Sequence, residues 1–208
     1  MPYMPAFVID PIFETKSFLG IQKKCIVVEI AGSDYEACDN SSKEFWSNKK
    51  KGSYGRGLKN SKEDPFLVTR IGLLGQTAFG ICFRQDVDFE YREFGDEYDN
   101  KINGITYDIK CATKKTHINY ILHTNEYGKK IDLDKDIYVF GYLDKEDKNQ
   151  NVATVVLTGY LRNEDITKKS FVRQSPVRSA NHINYEILCE DLHSIENLYN
   201  LMKKKYWS

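Results

Sequence analysis

The spacing of apolar and polar positions changes several times along this chain, and each change marks an element. Cys25-Ile-Val-Val-Glu-Ile30 is a short, nearly continuous apolar run of the kind a buried strand needs. Ser33-Asp-Tyr-Glu36, just behind it, is a capping box that predicts a helix through about Trp46. Asp64 and Pro65 read as the N-cap and first residue of a second helix. Its apolar positions Phe66, Leu67, Ile71, Leu74, Ala78, Phe79 and Phe83 recur at steps that include three and four. At Ile105, Tyr107 and Ile109 the period becomes two, so Asp108 and Lys110 share the opposite face of a strand. Asn103-Gly104 is a hairpin turn joining that strand to one beginning near Asp99.

Further along, residues 118–123, 136–142 and 152–161 are rich in β-branched and aromatic residues and read as strands, with the charged turn 144–151 between the last two. A short helix near Asn163 to Ile166, a strand at Asn184 to Leu188 and an amphipathic helix from about Asp191 to Lys204 complete the pattern. Residues 1–24, with Pro2, Pro5 and Pro11, read as an extended segment lying on the core or against a second subunit. The order of elements predicts an α/β (α+β) fold with a mixed central β-sheet flanked by helices.

The length of 208 residues suits one well-packed domain with an N-terminal elaboration. Thirty basic and thirty acidic residues give a formal net charge of zero, so no global field draws the chain to nucleic acid and any such binding rests on local patches. Two patches stand out. Lys49, Lys50, Lys51, Tyr54 and Arg56 lie in a glycine-rich stretch that reads either as an arm contacting phosphates and stacking on a base or as a solvated loop. Lys114, Lys115 and His117 follow the Asp108 strand. The five cysteines are odd in number and form no C-x-x-C pair, which argues against zinc and iron–sulfur sites. Without a signal peptide or a long apolar span, the expected setting is reducing, cytoplasmic and away from membranes.

The chemistry concentrates between Asp99 and Lys110. An acid and an amine on one strand face, with a second acid delivered across the turn, can hold a divalent cation and position an attacking water. Asp96 or Glu97 takes the place of Asp99 if the first strand begins earlier; the nine-residue separation of Asp99 from Asp108 favours Asp99, since it leaves four or five residues per strand. The structural alternative is a set of surface acids at a hairpin end.

In Asp99, Asp108-Ile109-Lys110, the Asn103-Gly104 turn and the small residues Cys111-Ala112-Thr113, the chain resembles the PD-(D/E)xK, or restriction-endonuclease-like, nuclease superfamily. The segment Gly72 to Phe79 is similar to that family's first core helix, where a Gly-Glu pair often supplies a further acid; here Gln76 stands in its place. The resemblance implies a restriction-endonuclease-like core over residues 61–208, preceded by an elaboration over 1–60. It further implies that Asp99, Asp108 and the backbone carbonyl of Ile109 bind Mg²⁺ or Mn²⁺, that Lys110 serves the attacking water, and that Gln76 assists. The implied activity is hydrolysis of phosphodiester bonds, with DNA as the expected substrate and a homodimer as the expected assembly. Two other classes stay open. One is a nuclease-fold protein that binds nucleic acid or assembles without cutting, which Gln76 favours; the other is an unrelated α+β interaction protein with a fortuitous D-x-K.

Overall fold

The computed structural model describes residues 5, 10–51, 65–89, 99–113, 119–123, 125–126, 129–130, 135–169, 171–174 and 183–206. Strand β1 (Ile12–Phe18) turns into β2 (Ile21–Ala31), and helices α1 (Gly32–Lys51) and α2 (Pro65–Phe83) follow. Next come β3 (Asn100–Ile102), β4 (Ile105–Thr113), β5 (Asn119–His123), β6 (Asn125–Glu126), β7 (Lys129–Lys130), β8 (Ile137–Asp147) and β9 (Val152–Arg162). Helix α3 (Asn163–Lys169), β10 (Phe171–Gln174), β11 (Ile183–Leu188), a 3₁₀ turn (Cys189–Asp191) and α4 (Ile195–Tyr206) complete the described elements.

The central sheet has six strands in the order β1-β2-β9-β8-β4-β3. It is mixed, because β4 runs parallel to β8 while every other neighbouring pair is antiparallel. Period-two alternation divides its side chains between two cores. Ile26, Val28, Ile30, Tyr107, Ile109, Val139, Val155 and Leu157 face one core, which α1, α2 and α4 cover. Cys25, Tyr138, Phe140, Tyr142, Val156 and Leu161 face the other, under Ile166 of α3 and Ile187 of β11. Strands β10, β11 and β5 make a separate three-stranded sheet. Residues 66–83 are long and apolar enough, by length and composition, to span a bilayer; here 67% of that segment is buried against the sheet and α1, as in a core helix.

Several sequence expectations are revised. Residues 12–24, read as extended chain, form β1 and the first part of β2, and so extend the central sheet. Their hairpin carries no Asn-Gly signal, since Leu19 and Gly20 fill the two positive-φ positions at 49° and 89°. Leucine is an unusual occupant there, which hides the turn from a reading based on residue type. Helix α1 runs on past Trp46 to Lys51, so Lys49, Lys50 and Lys51 belong to a helix end and not to an arm. The strand near residue 118 is β5, which pairs with β11 outside the central sheet. The closing helix starts at Ile195, after a 3₁₀ turn.

Arg70 ties the helical layer to the sheet. Its guanidinium, 2% exposed, stands 2.7 Å from Glu146 Oε1 on β8 and 3.4 Å from Asp39 Oδ1 on α1. It also donates to the Tyr35 hydroxyl, and its Nε has no hydrogen-bond partner among the described residues. A buried charge held this way is costly to leave half-paired, so the clasp depends on all its members.

Candidate active site

The β3–β4 hairpin places the site. Asn103 and Gly104 take φ of 50° and 86°, the two positive values of a type I′ turn, and Ile102 pairs directly with Ile105. That register carries Asn100 opposite Tyr107, so Asp99, one residue before β3, lies beside Asp108. The Asp99 amide still donates to the Tyr107 carbonyl at 3.0 Å. Asp136, before β8, accepts from the Thr106 amide at 2.8 Å and hydroxyl at 2.9 Å, which anchors the hairpin to the parallel neighbour.

Beyond Asp99 the outer edge of β4 has no described strand beside it, and the Asp99 carboxylate takes that position. The Ile109 amide donates to Asp99 Oδ2 at 2.5 Å. The N–H and C=O of one strand residue leave toward the same neighbour, so the Ile109 carbonyl is directed to this edge as well. Gln76 arrives from α2, and its Nε2 donates to Asp99 Oδ1 at 2.6 Å. On the face of β4 turned away from α2, Lys110 Nζ donates to Asp108 Oδ1 at 2.8 Å and stands 2.8 Å from Oδ2. Asp99, itself hydrogen-bonded to Asp108, therefore connects Gln76 on one side of the sheet edge to the Asp108–Lys110 pair on the other.

A close approach of helix to strand makes the Gln76 contact reachable. A Cβ at Gly75 would lie 2.5 Å from Cys111 Cβ and 3.5 Å from Ile109 Cγ2, so only glycine lets α2 sit this near β4. Periodicity alone did not single out Gly75; its place in the sequence, directly before Gln76, was the available signal. Cys111 packs against it, and burial pushes its thiol up to about 12, which suits a packing residue and not a nucleophile.

The electrostatics are those of two carboxylates short of positive charge. Burial and then the Asp108 charge push Asp99 up to about 8, against the pull of Lys110 and the Ile109 amide. Burial works against the Lys110 ammonium, but the charges of Asp108 and Asp99 outweigh it and hold Lys110 above its ordinary value. Among the described residues no group of three or more His, Cys, Asp or Glu forms a metal cage. What the edge offers is two carboxylates, a backbone carbonyl and an amide side chain. These are hard oxygen donors, and their surplus negative charge fits a cation that keeps several of its waters.

The structure brings Asp99, Asp108, Ile109 and Lys110 together, whereas Gln76 reaches Asp99 alone: α2 packs on the face of β4 opposite Asp108, so Gln76 does not approach both acids. Of the proposed nucleic-acid contacts, the backbones of Lys49, Lys50 and Lys51 end α1, while Tyr54, Arg56, Lys114, Lys115 and His117 lie outside the described residues, as do Asp96 and Glu97. An open pocket of about 410 Å³ lies elsewhere, between Ile105, Asp136, Tyr160, Arg162, Leu198 and Leu201, and no site residue lines it. His193 Nε2 and Asp165 Oδ2, 2.9 Å apart, form a further pair that the sequence reading did not single out. No family model, curated protein or solved structure matches this chain.

Proposed function

We propose that this protein is a Mg²⁺- or Mn²⁺-dependent nuclease of the PD-(D/E)xK type, hydrolysing phosphodiester bonds of nucleic acid, with DNA as substrate. The observation that carries the reading is the meeting of Asp99, Asp108, Lys110 and Gln76 at one sheet edge from three separate elements, held by hydrogen bonds of 2.6–2.8 Å. A mixed sheet flanked by helices suits a restriction-endonuclease-like core, in which β1, β2 and α1 would be the elaboration.

In this reading Asp99, Asp108 and the Ile109 carbonyl would hold the cation. When bound, the metal would supply Lewis acidity and ease the loss of a proton to solvent from the water that attacks phosphorus as the bond to the leaving oxygen breaks. Gln76 fixes the rotamer of Asp99 by donating to Oδ1, as an outer-shell partner fixes a ligand. Asp108 holds the Lys110 ammonium, which orients the attacking water and stabilises the charge that grows on the phosphoryl oxygens. The raised pKa of Lys110 keeps it cationic at neutral pH, which suits electrostatic stabilisation better than proton abstraction. Lys49, Lys50, Lys51, Tyr54, Arg56, Lys114, Lys115 and His117 would contact the substrate. Changing Lys49, Lys50 and Lys51 together then weakens binding and flattens its salt dependence.

Incubation with circular and linear single- and double-stranded DNA, with and without Mn²⁺, tests the proposal. Metal-dependent nicking or linearisation supports an endonuclease, whereas circles and linear strands left intact in every condition remove the proposal. The second reading is a nuclease-fold protein that binds nucleic acid without cutting. It rests on Gln76, which leaves only two carboxylates among the described site residues. Intact circles accompanied by retarded DNA would favour it.

A further inference from the structure

Among the described residues, the edge of the central sheet opposite the candidate site is β1, which has β2 as its only neighbour there. Three of the large hydrophobic residues left exposed lie at the ends of that hairpin: Ile12 at 62%, Leu19 at 81% and Ile21 at 37%. Exposed strand edges invite pairing with another chain unless charge or shape blunts them. The charges on β1 are arranged about its centre. Glu14 and Lys16 flank Thr15, project to the same face and form an ion pair at 2.6 Å.

We propose that β1 pairs antiparallel with β1 of a second copy of this chain, about a two-fold axis through Thr15, joining the two central sheets into one. In that register Glu14 stands opposite the partner's Lys16 and Lys16 opposite the partner's Glu14. Two intrachain ion pairs become a closed ring of four alternating charges, and cross-strand pairs of opposite charge stabilise a sheet. Ile12 comes to lie opposite the partner's Phe18, which is already buried in its own core, and next to the partner's exposed Leu19, so the exposed Ile12 and Leu19 at the two ends come together. The interface uses the same strand from each copy and closes at two subunits.

This surface is independent of the nuclease reading, and it changes what a dimer would mean for that reading. Along the joined sheet, the β4 strands of the two copies are separated by roughly nine strand spacings of 4.8 Å. The two candidate sites thus stand at opposite ends, and each acts alone instead of facing its twin across one duplex.

Sedimentation velocity of the full chain over a concentration series tests the interface. The wild-type protein should dimerise. Glu14→Lys makes every facing pair positive and Lys16→Glu makes every facing pair negative, so each should weaken self-association about tenfold or more. Mixed in equal amounts, the two variants should form a heterodimer, and a chain carrying both substitutions should recover the homodimer. Circular dichroism confirms that each variant is folded; Glu14 is exposed and Lys16 half-buried, and the mixing experiment checks each variant against the other. A wild-type chain that stays monomeric throughout, single variants that dimerise undiminished, or a mixture that remains monomeric would overturn the proposal.

Discussion

Gln76 and Asp99 meet at 2.6 Å, although they belong to a buried helix and to the turn before a three-residue edge strand. The amide donates to one carboxylate oxygen while the Ile109 backbone donates to the other, so Asp99 is gripped from both sides. Removing the side chain in Gln76→Ala should leave the fold intact and reduce turnover on DNA by about 10–100-fold, the usual cost of losing an outer-shell partner. Gln76→Glu should make the metal-free protein less stable at neutral pH, because a third carboxylate would face Asp99, and added Mn²⁺ should reverse the loss. Thermal melts with and without the metal check both variants.

Asp99 gives the metal-free protein a distinctive pH response. Its carboxyl titrates near 3.8 in the unfolded chain and at about 8 in the folded one, so across that window the folded state keeps a proton the unfolded state has released. The stability this provides is complete below the lower value and is lost as pH rises through the upper one. Asp99→Asn, which carries no such charge, should therefore gain melting temperature over wild type on going from acid to alkaline pH, by ~2–4 °C for each kcal/mol relieved. A difference that stays flat between about pH 5 and pH 9 would contradict the buried-acid assignment.

Gly75 sets the distance between α2 and β4. Gly75→Ala places a Cβ against Cys111 Cβ and should cost about 1–3 kcal/mol in stability while pulling Gln76 away from Asp99. Cys111→Gly in the same chain clears the space and should restore Mn²⁺ affinity and turnover together. If the double variant stays as impaired as Gly75→Ala, the helix-to-strand contact does not govern the site.

The Arg70 clasp makes a prediction about stability alone. Arg70→Ala leaves Glu146 and Asp39 without their buried partner and should destabilise the protein by about 3–5 kcal/mol in urea melts. Arg70→Met, with Glu146→Gln to remove the stranded charge, should recover part of that loss.

The arrangement of Asp99, Asp108 and Lys110 was legible in the sequence because its determinants are local. The Asn103-Gly104 turn dictates the hairpin register, the register puts Asp99 beside Asp108, and alternation puts Lys110 on the face of Asp108. The sheet was legible only in part. Pairing between β2 and β9 or between β4 and β8 depends on contacts distant in sequence, which no local periodicity encodes. The β1 hairpin escaped notice because Leu19 fills a position usually left to Asn or Gly, and because Thr15, Lys16 and Ser17 leave little apolar alternation to read. Arg70 gave no warning of its burial, since an arginine in a helix is ordinarily solvated and its partners come from α1 and β8.

Lys110→Ala tests the central claim most directly. If this ammonium orients the attacking water and stabilises the transition state, the variant should lose Mn²⁺-dependent cleavage of circular DNA, because its effect falls on the chemical step. It should keep the wild-type fold by circular dichroism and nearly the wild-type affinity for DNA, since Asp99, Asp108 and the basic patches remain. A Lys110→Ala protein that cuts circles at the wild-type rate would contradict the account and move the chemistry away from this strand.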